Sequence, residues 1–147
     1  MTDEHAVEVL LVEDNGTDAE LILRELRGKG LRNNFVIAKD GAEALDFLFA
    51  RGKWSDRDPS VGPKIVLLDL RLPRVDGIEV LRQIKADDRT RKIPVVVLTS
   101  SRQDPDIQQC FELGANSYIV KPVDFEKFAE AVTEIGYYWL LLNEPPR

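Results

Sequence analysis

Asp69 closes a short apolar run at residues 64–68, and comparable runs close in polar residues at three other places: Glu13 and Asp14, Thr99 and Ser100, and Lys121. Acids, hydroxyls and a lysine at the ends of strand-like runs form a set with a definite chemistry. Carboxylates brought together repel, and a divalent cation that prefers oxygen relieves the repulsion. Mg2+ fits best, with Mn2+ as a substitute, because it takes one or two carboxylates and keeps waters and a phosphate oxygen as its other ligands. An ionised aspartate is a competent nucleophile toward phosphorus when a metal and an ammonium draw charge from the phosphoryl oxygens. Asp69 is the candidate nucleophile and Lys121 the candidate cation. The Thr99 hydroxyl can donate to a phosphoryl oxygen only when one is present, and a contact that differs between two states shifts their equilibrium. Taken singly, the acids read as a solvated rim, Lys121 as a surface lysine and Thr99 as a structural hydroxyl. Their joint occurrence at run ends favours the chemical reading. Pro122 restricts the backbone beside Lys121, one way of aiming that side chain inward.

The elements that would position these residues follow from the hydrophobic pattern. Runs at 7–12, 64–68, 94–98 and 117–120 are apolar on both faces, as interior parallel strands are, and a weaker run at 34–38 suits an edge. Between them lie helical spacings such as Ala19, Ile22, Leu23 and Leu26, or Ala44, Leu45, Leu48 and Phe49. Five alternations of strand and helix predict an α/β fold, a five-stranded parallel sheet covered by helices on both faces. The strand order expected of it is the flavodoxin-like 2-1-3-4-5, in which ligands gather beyond the carboxyl ends of the strands. Residues 51–63, rich in Gly, Pro, Asp and Ser, read as a surface loop far from the chemistry.

The same motifs closely resemble the bacterial response-regulator receiver family over residues 9–128. LLVEDN at 10–15 resembles its acidic metal pair, IVLLDLRLPRVDG at 65–77 its phosphorylation strand and loop, VVVLTSS at 95–101 its switch strand, and GANSYIVKP at 114–122 its lysine-proline end. The resemblance implies Asp69 as phosphoacceptor, Glu13 and Asp14 as metal acids, the Arg71 main-chain carbonyl as a further metal ligand, Thr99 as switch hydroxyl and Lys121 as phosphate-binding lysine. It implies Tyr118 as the aromatic that swings as Thr99 moves. Pro73 and Gly77 fall in the loop after the acceptor, where tight backbone geometry is useful. Arg71 and Ser101 depart from the best-known members and stand where the family tunes phosphoryl lifetime. The implied chemistry is phosphoryl transfer from a partner histidine kinase to Asp69, followed by hydrolysis. His5, the one histidine, lies near the start and is no candidate for an internal relay.

Composition bounds the alternatives. With 147 residues, 44% hydrophobic and 31% charged, the chain suits a single domain with a core at about 7–142. A net charge of -6 and no basic stripe argue against nucleic acid. No run approaches the ~20 residues of a membrane span, and no secretion signal opens the chain, so a cytoplasmic protein is expected. Cys110 reads as a small buried hydrophobe. An aspartyl-phosphate hydrolase would place a second aspartate where Arg71 stands, and a phosphorylation-independent scaffold would have lost one of the key residues. Neither a P-loop nor GxGxxG follows a strand, and acids at the rim would repel a flavin phosphate.

With little chain after the last helix, output is expected through a partner or self-association. The final helix carries Phe125, Phe128, Val132, Ile135, Trp139 and Leu142 at core spacing. Residues 137–142, YYWLLL, are apolar on every side, which predicts a homodimer through the fourth helix, fifth strand and fifth helix, with Tyr137, Tyr138, Leu140 and Leu141 at the interface. The loop at 51–63 and the ending NEPP are similar to stand-alone receivers paired with phytochrome-type histidine kinases. The first helix near Asp18, Glu20 and Leu21 is where the family generally docks its kinase.

Overall fold

A computed structural model describes residues 7–30, 33–100, 105–134 and 136. Among these the chain runs β1 (Val9–Val12), α1 (Gly16–Gly28), β2 (Phe35–Ala38), α2 (Gly41–Leu48), a 3₁₀ turn (Gly52–Trp54), β3 (Ile65–Asp69), α3 (Gly77–Ala86), β4 (Val95–Thr99), α4 (Pro105–Leu113), β5 (Ser117–Val120) and α5 (Phe125–Glu134). The strands form one parallel sheet in the order β2-β1-β3-β4-β5, the expected flavodoxin-like arrangement.

Alternation along the strands divides the core in two. Val9, Leu11, Ile65, Leu67, Val96 and Leu98 face one side and meet Ile22 and Leu26 of α1 with Phe128 and Val132 of α5. Leu10, Val12, Val66, Leu68, Val95 and Val97 face the other and meet α2, α3 and α4 through Leu45, Leu81 and Cys110. β1, β3 and β4 are buried along their whole length, which is why their sequences read as continuous apolar runs. β5 departs from that reading. Its SYIV sequence suggested an interior strand, yet it is a sheet edge where Tyr118 is exposed and only Ile119 is buried.

The helix starts are set by side-chain caps. Asn15 accepts the Asp18 N–H at 3.0 Å and Asp40 accepts the Glu43 N–H at 2.7 Å, each satisfying a backbone donor that the first turn leaves open. α3 begins after the Asp76 cap, which accepts the Ile78 N–H, and its first residue is glycine because of crowding: a Cβ at Gly77 would lie 2.4 Å from the Asp69 carbonyl oxygen and 2.7 Å from the Leu70 Cα. The helix therefore presses directly on the end of β3. Gly41, first in α2, is confined in the same way, since its Cβ would stand 1.8 Å from the Val75 carbonyl oxygen.

The segment 51–63 lies largely on the surface, as expected, but it is anchored to the core. Trp54 packs edge-on against the buried Phe47 ring at 5.3 Å, and the Arg57 guanidinium lies 4.0 Å over the same ring. Arg57 also donates to the Phe47 and Val61 carbonyls, and burial lowers its pKa. The apolar face of Phe47 thus anchors the segment at the end of α2. Cys110 is buried, as expected. Ile135, Trp139 and Leu142 of the anticipated stripe lie outside the described residues, as does His5, while Phe128 and Val132 are fully buried.

Candidate functional site

Register brings the polar residues together. Val12 pairs with Leu68, so Glu13 follows β1 level with Asp69, the last residue of β3. Asp69 pairs with Leu98 and Thr99 pairs with Val120, so Thr99 and Lys121 come next along the same rim. The Lys121 backbone N–H donates to the Thr99 carbonyl at 2.7 Å, continuing the ladder one step beyond β5. The peptide bond between Lys121 and Pro122 is cis.

Lys121 is the centre of the resulting cleft. Its Nζ donates to Asp69 Oδ2 at 2.8 Å and lies 2.7 Å from Glu13 Oε1 and 3.4 Å from Asp18 Oδ2. Asp69 Oδ1 accepts the Arg71 N–H at 3.0 Å, so both carboxylate oxygens of Asp69 are engaged. Glu13 Oε2 accepts the Asn15 N–H at 3.2 Å. Asp14 is exposed beside them, and one oxygen from each of Glu13, Asp14 and Asp69 lies within 4.8 Å of the others. Asn15, Asp18, Arg71 and Ser100 complete the lining of a cleft of about 250 Å³. That volume lies below the roughly 300–1,000 Å³ of pockets for drug-sized ligands, so the cleft suits an inorganic group rather than a flavin.

Electrostatics follow from crowding three carboxylates around one ammonium. Burial drives the Glu13 carboxyl upward and the adjacent Asp69 adds to it; Lys121 only partly offsets this, leaving the pKa at about 7. For Lys121, burial acts to lower the pKa, but its contacts with Asp69 and Glu13 outweigh burial and hold it above the usual lysine value. The Lys121 contact with Glu13 Oε1 is an ion pair without hydrogen-bond alignment, and among the described residues that buried oxygen accepts no directed hydrogen bond. A buried acceptor left open, beside two further carboxylates, fits a hard cation. Glu13, Asp14 and Asp69 are the side chains that would hold it.

Thr99 is buried at the inner end of the rim, and the residue after it, Ser100, opens onto the cleft. Tyr118 stands on the outer side of β5, 40% exposed, with its ring edge-on to Phe111 at 5.8 Å. Ser101, Tyr137, Tyr138, Leu140 and Leu141 lie outside the described residues. Asp18 was missed as a member of this site. Its signal was available: Asn15 caps α1 straight after the acidic pair, which puts residue 18 in the first helical turn above the cleft.

An acidic, lysine-bearing cleft at the carboxyl edge of a doubly wound parallel sheet is the architecture of a receiver. The chain belongs to the response regulator receiver domain family, whose profile matches residues 9–133. It is 45% identical over 138 residues to the probable methanogenesis regulatory protein FilR2 of Methanothrix harundinacea, covering 94% of this chain and 86% of that one. Among solved structures, the bacteriophytochrome response regulator AtBRR shares 50% identity at a TM-score of 0.84, over 94% of this chain and 98% of that one. The Mn(2+)-bound form of the response regulator Rcp1 shares 34% identity at a TM-score of 0.74, over 96% and 99% of the respective chains. Among the described residues, no helix is long and apolar enough to cross a membrane.

Proposed function

We propose that this receiver accepts a phosphoryl group on Asp69 in a reaction that requires Mg2+ or Mn2+. The observation that carries the reading is the 2.8 Å contact of Lys121 Nζ with Asp69 Oδ2, where Asp69, Glu13 and Asp14 each bring one oxygen within 4.8 Å of the others. A carboxylate oxygen of Asp69 bonds to phosphorus while the bond from phosphorus to a kinase histidine breaks, and the imidazole leaves with the electron pair. Water later attacks the same phosphorus, releasing inorganic phosphate and restoring the carboxylate. Lys121 supplies a fixed positive charge to the phosphoryl oxygens. Glu13, Asp14 and Asp69, with the Arg71 carbonyl, would hold the divalent cation, which would supply neutralising charge. Thr99 is the switch hydroxyl, with Tyr118 as its outward aromatic, and Arg71 and Ser101 set how long the phosphoryl group survives.

The phosphoryl donor in this proposal is a sensor histidine kinase in the cytoplasm, and the likeness to AtBRR supports a bacteriophytochrome as that kinase. An apolar groove of about 320 Å³ between α1 and the residues after β5, lined by Leu21, Ile22, Pro122 and Val123, supports docking beside the cleft. Exposed Phe111 and Tyr118 support self-association through α4, β5 and α5. Purely monomeric protein at micromolar concentration, by light scattering after size exclusion, would count against that assembly.

The chemistry is tested by intact-mass measurement after incubation with acetyl phosphate and Mg2+. Wild type should gain the mass of one phosphoryl group and Asp69→Asn none. A gain retained by Asp69→Asn would move the acceptor elsewhere.

A further inference from the structure

Lys121 has one partner more than phosphoryl transfer needs. Its Nζ is 2.7 Å from Glu13, 2.8 Å from Asp69 and 3.4 Å from Asp18. An ammonium carries three N–H donors; two are given to Asp69 and Asp18, and the Glu13 carboxylate crowds the third at 2.7 Å. Release of one carboxylate opens the lysine to a phosphoryl oxygen.

The three contacts are unequal. The Glu13 and Asp69 side chains are 1% and 7% exposed, whereas Asp18 is 40% exposed and its contact is the longest. A carboxylate at a wet rim exchanges its lysine for water at small cost, while a buried one left unpaired is penalised heavily. Asp18 is therefore the partner that yields. It is also firmly placed, because its backbone N–H is held by the Asn15 cap in the first turn of α1.

We propose that Asp18 is a positioning residue that keeps Lys121 engaged in the unphosphorylated protein and opposes entry of an anionic phosphoryl donor. This rests on Asp69 being the acceptor. With acetyl phosphate, a bond forms between Asp69 and phosphorus, the bond from phosphorus to the acetyl oxygen breaks, and acetate leaves with the electron pair. Lys121 exchanges its hydrogen bond to Asp18 for one to a phosphoryl oxygen, and no proton is transferred.

The test follows the rate of phosphoryl mass gain against acetyl phosphate concentration at saturating Mg2+ for wild type, Asp18→Asn and Glu20→Gln. Asparagine keeps the shape of residue 18 and the capped backbone N–H. Glu20→Gln removes equal charge from the same helix, where Glu20 pairs with Arg24 at 3.1 Å rather than with Lys121. The half-saturating donor concentration should fall about fivefold in Asp18→Asn, the scale of one unit charge at a few ångströms in water. The maximal rate and melting midpoint should stay near wild type, and Glu20→Gln should match wild type. An unchanged half-saturating concentration in Asp18→Asn, or an equal fall in Glu20→Gln, overturns the role of Asp18 while leaving Asp69 as acceptor. No mass gain in wild type would overturn the acceptor reading itself, and this inference with it.

Discussion

Lys121 Nζ stands 2.8 Å from Asp69 Oδ2 across 52 positions of sequence, and the contact exists because Thr99 pairs with Val120 and sets the register of β5. Removing the ammonium leaves Glu13 and Asp69 facing each other with no counter-ion. Lys121→Ala should slow phosphorylation by acetyl phosphate by about tenfold or more. A rate equal to wild type in the mass assay would remove Lys121 from the chemistry.

Proton linkage should be visible in metal binding. With its pKa raised to about 7 from an ordinary 4.5, Glu13 is protonated in the metal-free protein at mildly acidic pH. A cation favours the ionised form, so Mg2+ binding should release a proton below about pH 7, and affinity should rise with pH up to that point and then level. The sign for stability is opposite. Between about 4.5 and 7 the folded protein binds more protons than the unfolded chain, so metal-free stability should decline as pH rises through that window. Calorimetry in buffers of different ionisation heat measures the released proton, and Glu13→Gln should abolish most of it.

Two glycines make a paired test of crowding. Gly77→Ala sets a methyl 2.4 Å from the Asp69 carbonyl oxygen and should cost about 1–3 kcal/mol of stability as well as disturbing the acceptor. Gly16→Ala, with no atom of the described residues within 4 Å of the new methyl, should be neutral or mildly stabilising. Denaturant unfolding of both variants decides it; equal midpoints would contradict the packing of α3 on β3.

Thr99→Ala should separate acceptance from response. Mass gain from acetyl phosphate should persist, because Asp69 and Lys121 are untouched, while the phosphorylation-dependent change around Tyr118 should shrink. Tyrosine-resolved NMR before and after phosphorylation would report it, and a full-sized change in the variant would exclude Thr99 as the switch.

Much of the fold and site could be read from residue order, because run ends in a parallel sheet all point to one edge. Asp69, Glu13 and Lys121 needed only that rule, and the burial of β1, β3 and β4 made their runs unmistakable. The partnership of Lys121 with Asp18 was harder to read: it spans 103 positions and depends on how α1 is seated against the end of β5. The expected strand order already put β5 at an edge, but its exposure was obscured by Ile119 and Val120, which are apolar although only Ile119 is buried. The anchoring of residues 51–63 rests on Arg57 lying over Phe47, a contact between a charge and a ring that hydropathy does not register.

The Val75 carbonyl fills the space that a side chain at residue 41 would need. The turn after Asp69 and the first residue of α2 are meshed like the teeth of two gears, with no slack to absorb a displacement. A displacement of that turn would therefore press first on the start of α2, at the far side of the sheet from β5.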